Sequence, residues 1–324
     1  MEAARTGDEA AFGALVERHR RELHVHCYRM LGSFEDAEDL VQETFLRAWR
    51  KRRSFEGRSS FRAWLYRIAT NACLDALERR PRLFLSNSSR TPWPELPWLQ
   101  PYPDELLEEL GPSGAGLEAE VVAKETMELA FIAAIQHLPP RQRAVLIARD
   151  VLGWSAAESA SLLDVSVAAV NSALQRARAR LKEHLPRRRL DWAPGADPSA
   201  DERELLQRYV DANEQNDPAA MVELLREDAL FAMPPAWDWW RGRESVVAAW
   251  VRGGFGSESW GELRLVPTRA NGRPAFGNYL RRPGDSRHRA MALDVLWIED
   301  GLIAEVVTFG ADVFAWFGLP PVLS

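Results

Sequence analysis

The sequence predicts a multidomain protein in which two all-α modules are followed by a C-terminal α+β domain. Three observations carry this prediction. The 324 residues exceed one ordinary domain. Apolar residues recur at helical spacing through most of residues 8–183, then give way to alternating, hairpin-like runs. Two breaker-rich stretches interrupt the pattern. One carries prolines at 81, 92, 94, 97, 101, 103 and 112, and the other is RRRLDWAPGADPSAD over 187–201. The resulting boundaries are a helical module over 1–82, a linker over 83–118, a second helical module over 119–186, a short linker over 187–200, and an α+β domain over 201–324.

Hydrophobic residues at 46% and charged residues at 27% match a soluble globular chain. No run approaches the roughly 20 apolar residues that span a bilayer, and the N-terminal segment lacks a signal-peptide core. A cytoplasmic location without membrane association is expected. Cys27 and Cys73 lie inside helix-like apolar patterns without metal-ligand spacing, so both are expected to be buried thiols, with no metal or cofactor.

The net charge of −6 is unevenly spread. Residues 1–190 hold 28 basic and 26 acidic residues, against 13 and 21 in residues 191–324. Basic residues concentrate in two blocks, 11 against 3 acidic over 47–82 and 7 against 1 over 171–189. Two basic patches separated by neutral or acidic sequence suit a chain that touches a phosphate backbone twice. Solvated helix faces are the alternative.

In the first module, residues 8–32 (Phe12, Leu15, Val16) and 34–53 (Leu40, Val41, Phe45, Leu46, Trp49) read as helices, with Gly32-Ser33-Phe34 as the break between them. The segment 51–60 reads as a loop and 61–79 as a further amphipathic helix. The acidic edge Asp36, Glu38, Asp39, Glu43 repels DNA and is better suited to a basic protein partner. Directly after it come Arg50, Lys51, Arg52, Arg53, Phe55, Arg58, Phe61, Arg62 and Trp64. Basic residues interleaved with aromatics suit a single strand, the charges tracking phosphates while rings or loop pockets take unstacked bases. Trp49, Phe61 and Trp64 also sit at core spacing, which leaves Phe55 as the better candidate for base contact.

In the second module, a helix over about 140–151 ends at Gly153. Ser155 then begins a short helix with Glu158 three residues on, as in a capping box. Asp164-Val165 reads as a tight turn and Ser166 as the cap of a second helix. Val170 and Leu174 face inward on that helix. This is a helix-turn-helix, whose second helix presents its N-terminal residues to base edges in the major groove. Ser166, Val167, Ala169, Asn171 and Ser172 are the expected base-proximal residues, Asn171 being suited to bidentate adenine contact. Gln175, Arg176, Arg178 and Arg180 face outward, the arginines toward phosphates.

The C-terminal part opens with helices over 201–217 and 218–225. Strand-like runs follow at 229–234, 262–270, 275–282, 291–300 and 301–310, the last two joined by the hairpin signal Asp300-Gly301. Helices followed by a hairpin-rich curved sheet indicate α+β. Met233, Trp237, Trp239, Trp240, Trp250, Tyr279, Met291 and Trp297 provide aromatic surface for a pocket, or equally for a core.

The strings YRMLGSFEDAEDLVQETFLRAWR and FRAWLYRIATNACLDALERR resemble region two of the extracytoplasmic-function sigma factors, and LPPRQRAVLIARDVLGWSAAESASLLDVSVAAVNSALQRARARL resembles region four. The Pro-rich linker LPWLQPYPDELL and the long C-terminal extension are similar to the sigma-G-like branch, in which a SnoaL-like domain of the NTF2-like superfamily follows. The resemblance implies a region-two helical bundle, a region-four helix-turn-helix and a SnoaL-like cone. It further implies promoter-directed initiation with core RNA polymerase. The helix carrying Asp36, Glu38, Asp39, Gln42 and Glu43 would bind the β′ clamp helices. The stretch from Arg50 to Trp64 would melt and read the −10 element, while region four would read the −35 element and touch the β flap. The linker, with one basic and seven acidic residues over 83–120, would thread the RNA-exit channel, or serve simply as an acidic tether. No catalytic residue is carried over. Superfamily cyclases use an acidic residue with a histidine, for which Asp294 and His288 are the available pair. The cone implies a small apolar ligand near Met233, Trp237, Trp240, Tyr279, Met291, Asp294 and Trp297, and regulation of the sigma modules by this domain. The competing class is a one-component, ligand-responsive helix-turn-helix regulator, which binds duplex DNA alone and needs no region-two module.

Overall fold

The computed structural model describes residues 6–55, 57, 60–79, 99–108, 127–184, 199–236 and 239–323. The chain divides into two compact units, residues 1–91 with 110–192, and residues 92–109 with 193–324.

The first unit is helical: α1 Glu9–Glu17, α2 Arg20–Leu31, α3 Phe34–Lys51, α4 Phe61–Arg79, then α6 Leu129–Gln136, α7 Pro140–Leu146 with a π-helical continuation Ile147–Val151, α8 Ala156–Leu163 and α9 Val167–His184. The short α5, Glu105–Glu108, belongs to the second unit. The expected helix over 8–32 is two helices, because its halves bury different surfaces. α1 lays Phe12 against Trp49, ring centroids 5.1 Å apart, whereas α2 is buried at every residue from Leu23 to Leu31. Gly32 ends α2 in the left-handed conformation, and the Ser33 hydroxyl caps α3 by accepting from Asp36 N–H.

A buried arginine ties the two helical modules together. The Arg143 guanidinium, 3% exposed, donates to the carbonyls of Met30, Gln136 and Leu138 and to Gln136 Oε1. The Gln136 side chain in turn donates to Arg29 O at 3.3 Å. The acceptors on Arg29 and Met30 are among the last carbonyls of α2, which no intrahelical donor satisfies. Arg143 thus serves as an interior cap for a helix far away in sequence.

The second unit contains α10 Ala200–Glu214, α11 Pro218–Leu224 and α12 Arg243–Arg252. Its sheet comprises β1 Leu225–Ala232, β2 Trp239–Arg241, β3 Glu262–Ala270, β4 Arg273–Arg281, β5 His288–Glu299, β6 Leu302–Gly310 and β7 Val322–Leu323. The order is β2-β1-β6-β5-β4-β3, with β7 pairing β5 and only β1 and β6 running parallel. The Asp300-Gly301 turn has both residues at positive φ, the conformation a two-residue hairpin needs. One sheet face packs under α10, α11 and α12 through Leu205, Tyr209, Met221, Phe231, Val246 and Leu296.

The linker departs from expectation over its described residues 99–108. These residues are docked on the β3–β4 turn, where Leu99 and Tyr102 are 2% and 1% exposed. Tyr102 N–H donates to Asn271 Oδ1 at 2.7 Å and Tyr102 O accepts from Asn271 N–H at 2.9 Å. Asp104 accepts from Gly272 N–H at 2.7 Å and pairs with Arg269 at 3.3 Å. The sequence pattern missed this because the contacts join residues about 170 positions apart. Residues 83–98 and 109–118 of the expected linker lie outside the described residues, as do Arg58, Trp237 and most of 187–200.

Candidate nucleic-acid interface and C-terminal pocket

The helix-turn-helix is built from its caps outward. Ser155 accepts from Glu158 N–H at 3.2 Å while Glu158 Oε2 accepts from Ser155 N–H at 2.7 Å, the reciprocal capping box. Asp164 turns the chain in the left-handed conformation, φ 54°, and Ser166 Oγ accepts from Ala169 N–H at 3.1 Å to begin α9. With Val170, Leu174 and Ala177 buried, the helical period exposes Ser166, Val167, Ala169, Asn171, Ser172, Gln175, Arg176, Arg178 and Arg180 together. Arg178 is already engaged: Asp150 accepts from its Nε at 2.9 Å and its Nη2 at 2.7 Å, which raises its pKa further. A crevice of about 590 Å³ runs beside α9, lined by Arg149, Asn171, Gln175, Arg178 and Lys182 among others. Arg149 and Lys182 were not singled out from the sequence, although Lys182 lies in the basic run.

In the first module, Arg50, Lys51 and Arg53 are exposed at the end of α3 and in the 3-10 turn that follows. Arg52 lies over the Trp49 ring at 3.8 Å and donates to Trp49 O, so it is part of the fold as well as the basic patch. Arg62 is likewise held, by Glu22 at 2.6 Å and by Tyr66. Phe55 is half-buried and packs with Phe61 and Trp64 at centroid separations of 5.7 and 5.3 Å. The three rings form one cluster beside the exposed cations. On α3, Asp39 and Gln42 are exposed, while Asp36, Glu38 and Glu43 are half-buried. Glu38 pairs with Arg20 at 3.2 Å, and Glu43 with Arg47 at 2.8 Å.

The second unit holds a cavity of about 500 Å³ under the helices. Of the residues expected there, Met233, Trp240, Trp250, Met291 and Asp294 line it. Tyr279 and Trp297 do not, because strand residues alternate faces. Asn278, Asp294 and Leu296 point to the helix side, whereas Tyr279 packs on Phe314 and donates to Pro320 O, and Trp297 stacks on Arg273. Met291 reaches the cavity from the opposite parity through a bulge. Ala290 pairs Tyr279 and Ala292 pairs Asn278, leaving Met291 as the extra residue. Trp239 is 38% exposed and outside the cavity. His288 sits at the far end of β5 against β7, about 20 Å along the strand from Asp294, so the pair does not assemble.

At the base of the cavity Asp294, 7% exposed, accepts from Tyr209 OH at 2.8 Å, Asn278 Nδ2 at 2.6 Å and Thr308 Oγ1. Burial pushes its carboxyl pKa up, and the three hydrogen bonds offset part of that rise. Tyr209, Asn278 and Thr308 were missed. The signal available was Tyr209 on the apolar stripe of a predicted helix; Thr308 comes opposite Asp294 only because a bulge between Trp297 and Ile298 shifts by one residue the register that Asp300-Gly301 sets, which by itself would place Val307 there.

Among the described residues no helix is long and apolar enough to cross a membrane. Residues 15–83 match the family described as Sigma-70 region 2, residues 128–181 that described as Sigma-70, region 4, and residues 206–306 that described as SnoaL-like domain. The chain is 44% identical to the ECF RNA polymerase sigma factor SigG of Mycobacterium tuberculosis over 98% of this chain and 85% of that one. It is 31% identical to SigE of Mycolicibacterium smegmatis over 59% of this chain and 69% of that one. Among solved structures, the Mycobacterium tuberculosis sigma factor SigJ aligns over 95% of this chain and 99% of that one with a TM-score of 0.58 and 23% identity, a likeness of fold. The one-component regulator gains no support, since it has no use for a region-two module. The chain belongs to the extracytoplasmic-function sigma factors, which bind RNA polymerase and direct promoter-specific transcription initiation, with a SnoaL-like domain appended.

Proposed function

We propose that this sigma factor works in the cytoplasm and divides initiation between its two helical modules, with the C-terminal domain adjusting their output. The face of α3 carrying Asp36, Glu38, Asp39, Gln42 and Glu43 engages the β′ clamp helices. Arg50, Lys51 and Arg53, beside the Phe55, Phe61 and Trp64 rings, hold the melted −10 strand. The exposed face of α9 reads the −35 element while region four touches the β flap. The single observation that carries the reading is the α9 surface, where every base-proximal candidate is exposed while Val170, Leu174 and Ala177 on the other face are buried. Adjustment by the C-terminal domain rests on the docked segment 99–108. That segment cannot lie on the β3–β4 turn and in the RNA-exit channel at once, so docking competes with the extended path. A small, largely apolar ligand in the 500 Å³ cavity is the signal to which the domain responds. Run-off transcription with core polymerase tests the whole. Product should require both core enzyme and an intact −35 element, and removing residues 200–324 should change its yield. Promoter output unaffected by that truncation would refute the regulatory part.

A further inference from the structure

The cavity in the second unit has a polar base of one sign. Asp294 takes three donors, and all three are neutral groups. Among the described residues it makes no ion pair, and no positive group contributes to its electrostatic environment. Asn278 spends its amide N–H on Asp294, leaving its Oδ1 buried and without a partner. The base therefore offers acceptors, with the Tyr209, Asn278 and Thr308 donors turned onto Asp294, while in the wall the buried Trp260 N–H has no partner. The wall above is aromatic. The Phe231 ring stacks on Trp240 at 5.2 Å and meets Trp250 edge-on at 5.3 Å, and Trp260 closes the cavity with them.

From these two features we infer that the ligand of this domain is a lipophilic cation, a flat apolar body carrying an ammonium group. This rests on the reading of the cavity as a ligand site. The ammonium would supply the hydrogen that Asn278 Oδ1 lacks and the positive charge that Asp294 lacks, as a charge-assisted hydrogen bond. Electron-rich faces of Trp and Phe attract cations and accept flat apolar bodies equally well. A carboxylate ligand could take the Trp260 N–H but would set a second carboxylate against Asp294, which has no cation to offset the repulsion. A neutral ligand would fill the apolar volume but leave an ionised Asp294 uncompensated, the state that burial disfavours. About 500 Å³ lies within the range that takes a molecule of three fused rings.

The test uses the full chain and three probes of one shape: 9-(aminomethyl)anthracene, 9-anthracenemethanol and 9-anthracenecarboxylic acid. Binding is read by energy transfer from the protein tryptophans to the anthracene. The amine should bind about tenfold or more tighter than the alcohol, and the acid most weakly. In Asp294→Asn, a near-isosteric change, the amine's preference over the alcohol should vanish. Trp250→Leu should weaken the amine more than the alcohol, a second handle if Asp294→Asn misfolds. Equal or better binding of the alcohol or acid overturns the cationic assignment and leaves the cavity as a ligand site. An amine preference that survives in Asp294→Asn overturns it too, assigning the attraction to the acidic domain as a whole. If none of the three binds, the ligand-site reading itself fails. If the amine binds without altering run-off yield, the inference holds and the regulatory reading falls.

Discussion

Asn271→Gly isolates the docking of the inter-module segment on the C-terminal domain. Asn271 sits at φ 55°, a conformation glycine adopts freely, so the backbone of the β3–β4 turn survives the change. The change removes the side-chain acceptor for Tyr102 N–H, a 2.7 Å bond on a residue 1% exposed. A buried N–H left without a partner costs about 1–3 kcal/mol, a shift of about 5- to 150-fold in the docking equilibrium. The remaining contacts, through Asp104 and the Asn271 N–H, are untouched by the substitution. Asn271→Ala is the contrast, because it adds left-handed strain of about 1–2 kcal/mol to the turn itself. Hydrogen exchange read by mass spectrometry on the full chain measures the effect. Peptides covering 99–108 should lose protection by the stated factor, and those covering β5 should not change. Unchanged exchange over 99–108 refutes the reasoning. An equal loss in β5 also refutes it, since the turn would then be holding the sheet and not the segment.

Three further outcomes follow from the same geometry. Asn171→Ala removes an exposed side chain, so thermal stability should stay within about 0.5 kcal/mol while discrimination at one −35 base pair falls by about 1–3 kcal/mol, read by gel shift of the holoenzyme on mutated promoters. Arg143→Met leaves the Met30, Gln136 and Leu138 carbonyls without their buried donor. It should destabilise the helical unit by about 3 kcal/mol in urea titrations; a loss under 1 kcal/mol would mean the carbonyls are rehydrated. His26, hydrogen-bonded to Thr70, is held at a pKa of about 3, chiefly by burial, with Arg29 and Arg62 adding to it. Its folded value lies below the free value of 6.5, so the neutral ring's contribution is complete above pH 6.5 and is lost as pH falls toward 3. The helical unit should weaken by about 2 kcal/mol between pH 6.5 and pH 5, and a His26→Gln variant should lack that component.

The helical modules were largely legible in the chain because their information is local. Ser155 with Glu158, Asp164 and Ser166 delimit α8 and α9 within a few residues of themselves, and the spacing of Val170 and Leu174 already says which face of α9 is free. Charge blocks and the Asp300-Gly301 turn are local in the same sense. The break at Arg18-His19 was hidden because both halves of the 8–32 segment are separately helical and only their different burial partners part them. β2 and β7, at three and two residues, are too short to carry an alternation.

What the sequence by itself determined is therefore the order of modules, the exposed face of α9 and the acidic and basic surfaces of the first module, all consequences of period, capping and charge. The tertiary structure alone decided that Asp294 lies among Tyr209, Asn278 and Thr308 while Tyr279 and Trp297 turn away, because strand parity and the bulge at Met291 depend on register with a neighbouring strand. It also decided that Tyr102 and Asp104 rest on Asn271 and Gly272. Contacts between residues that far apart are selected by the shape and hydrogen-bonding of a surface that exists only once the sheet has formed.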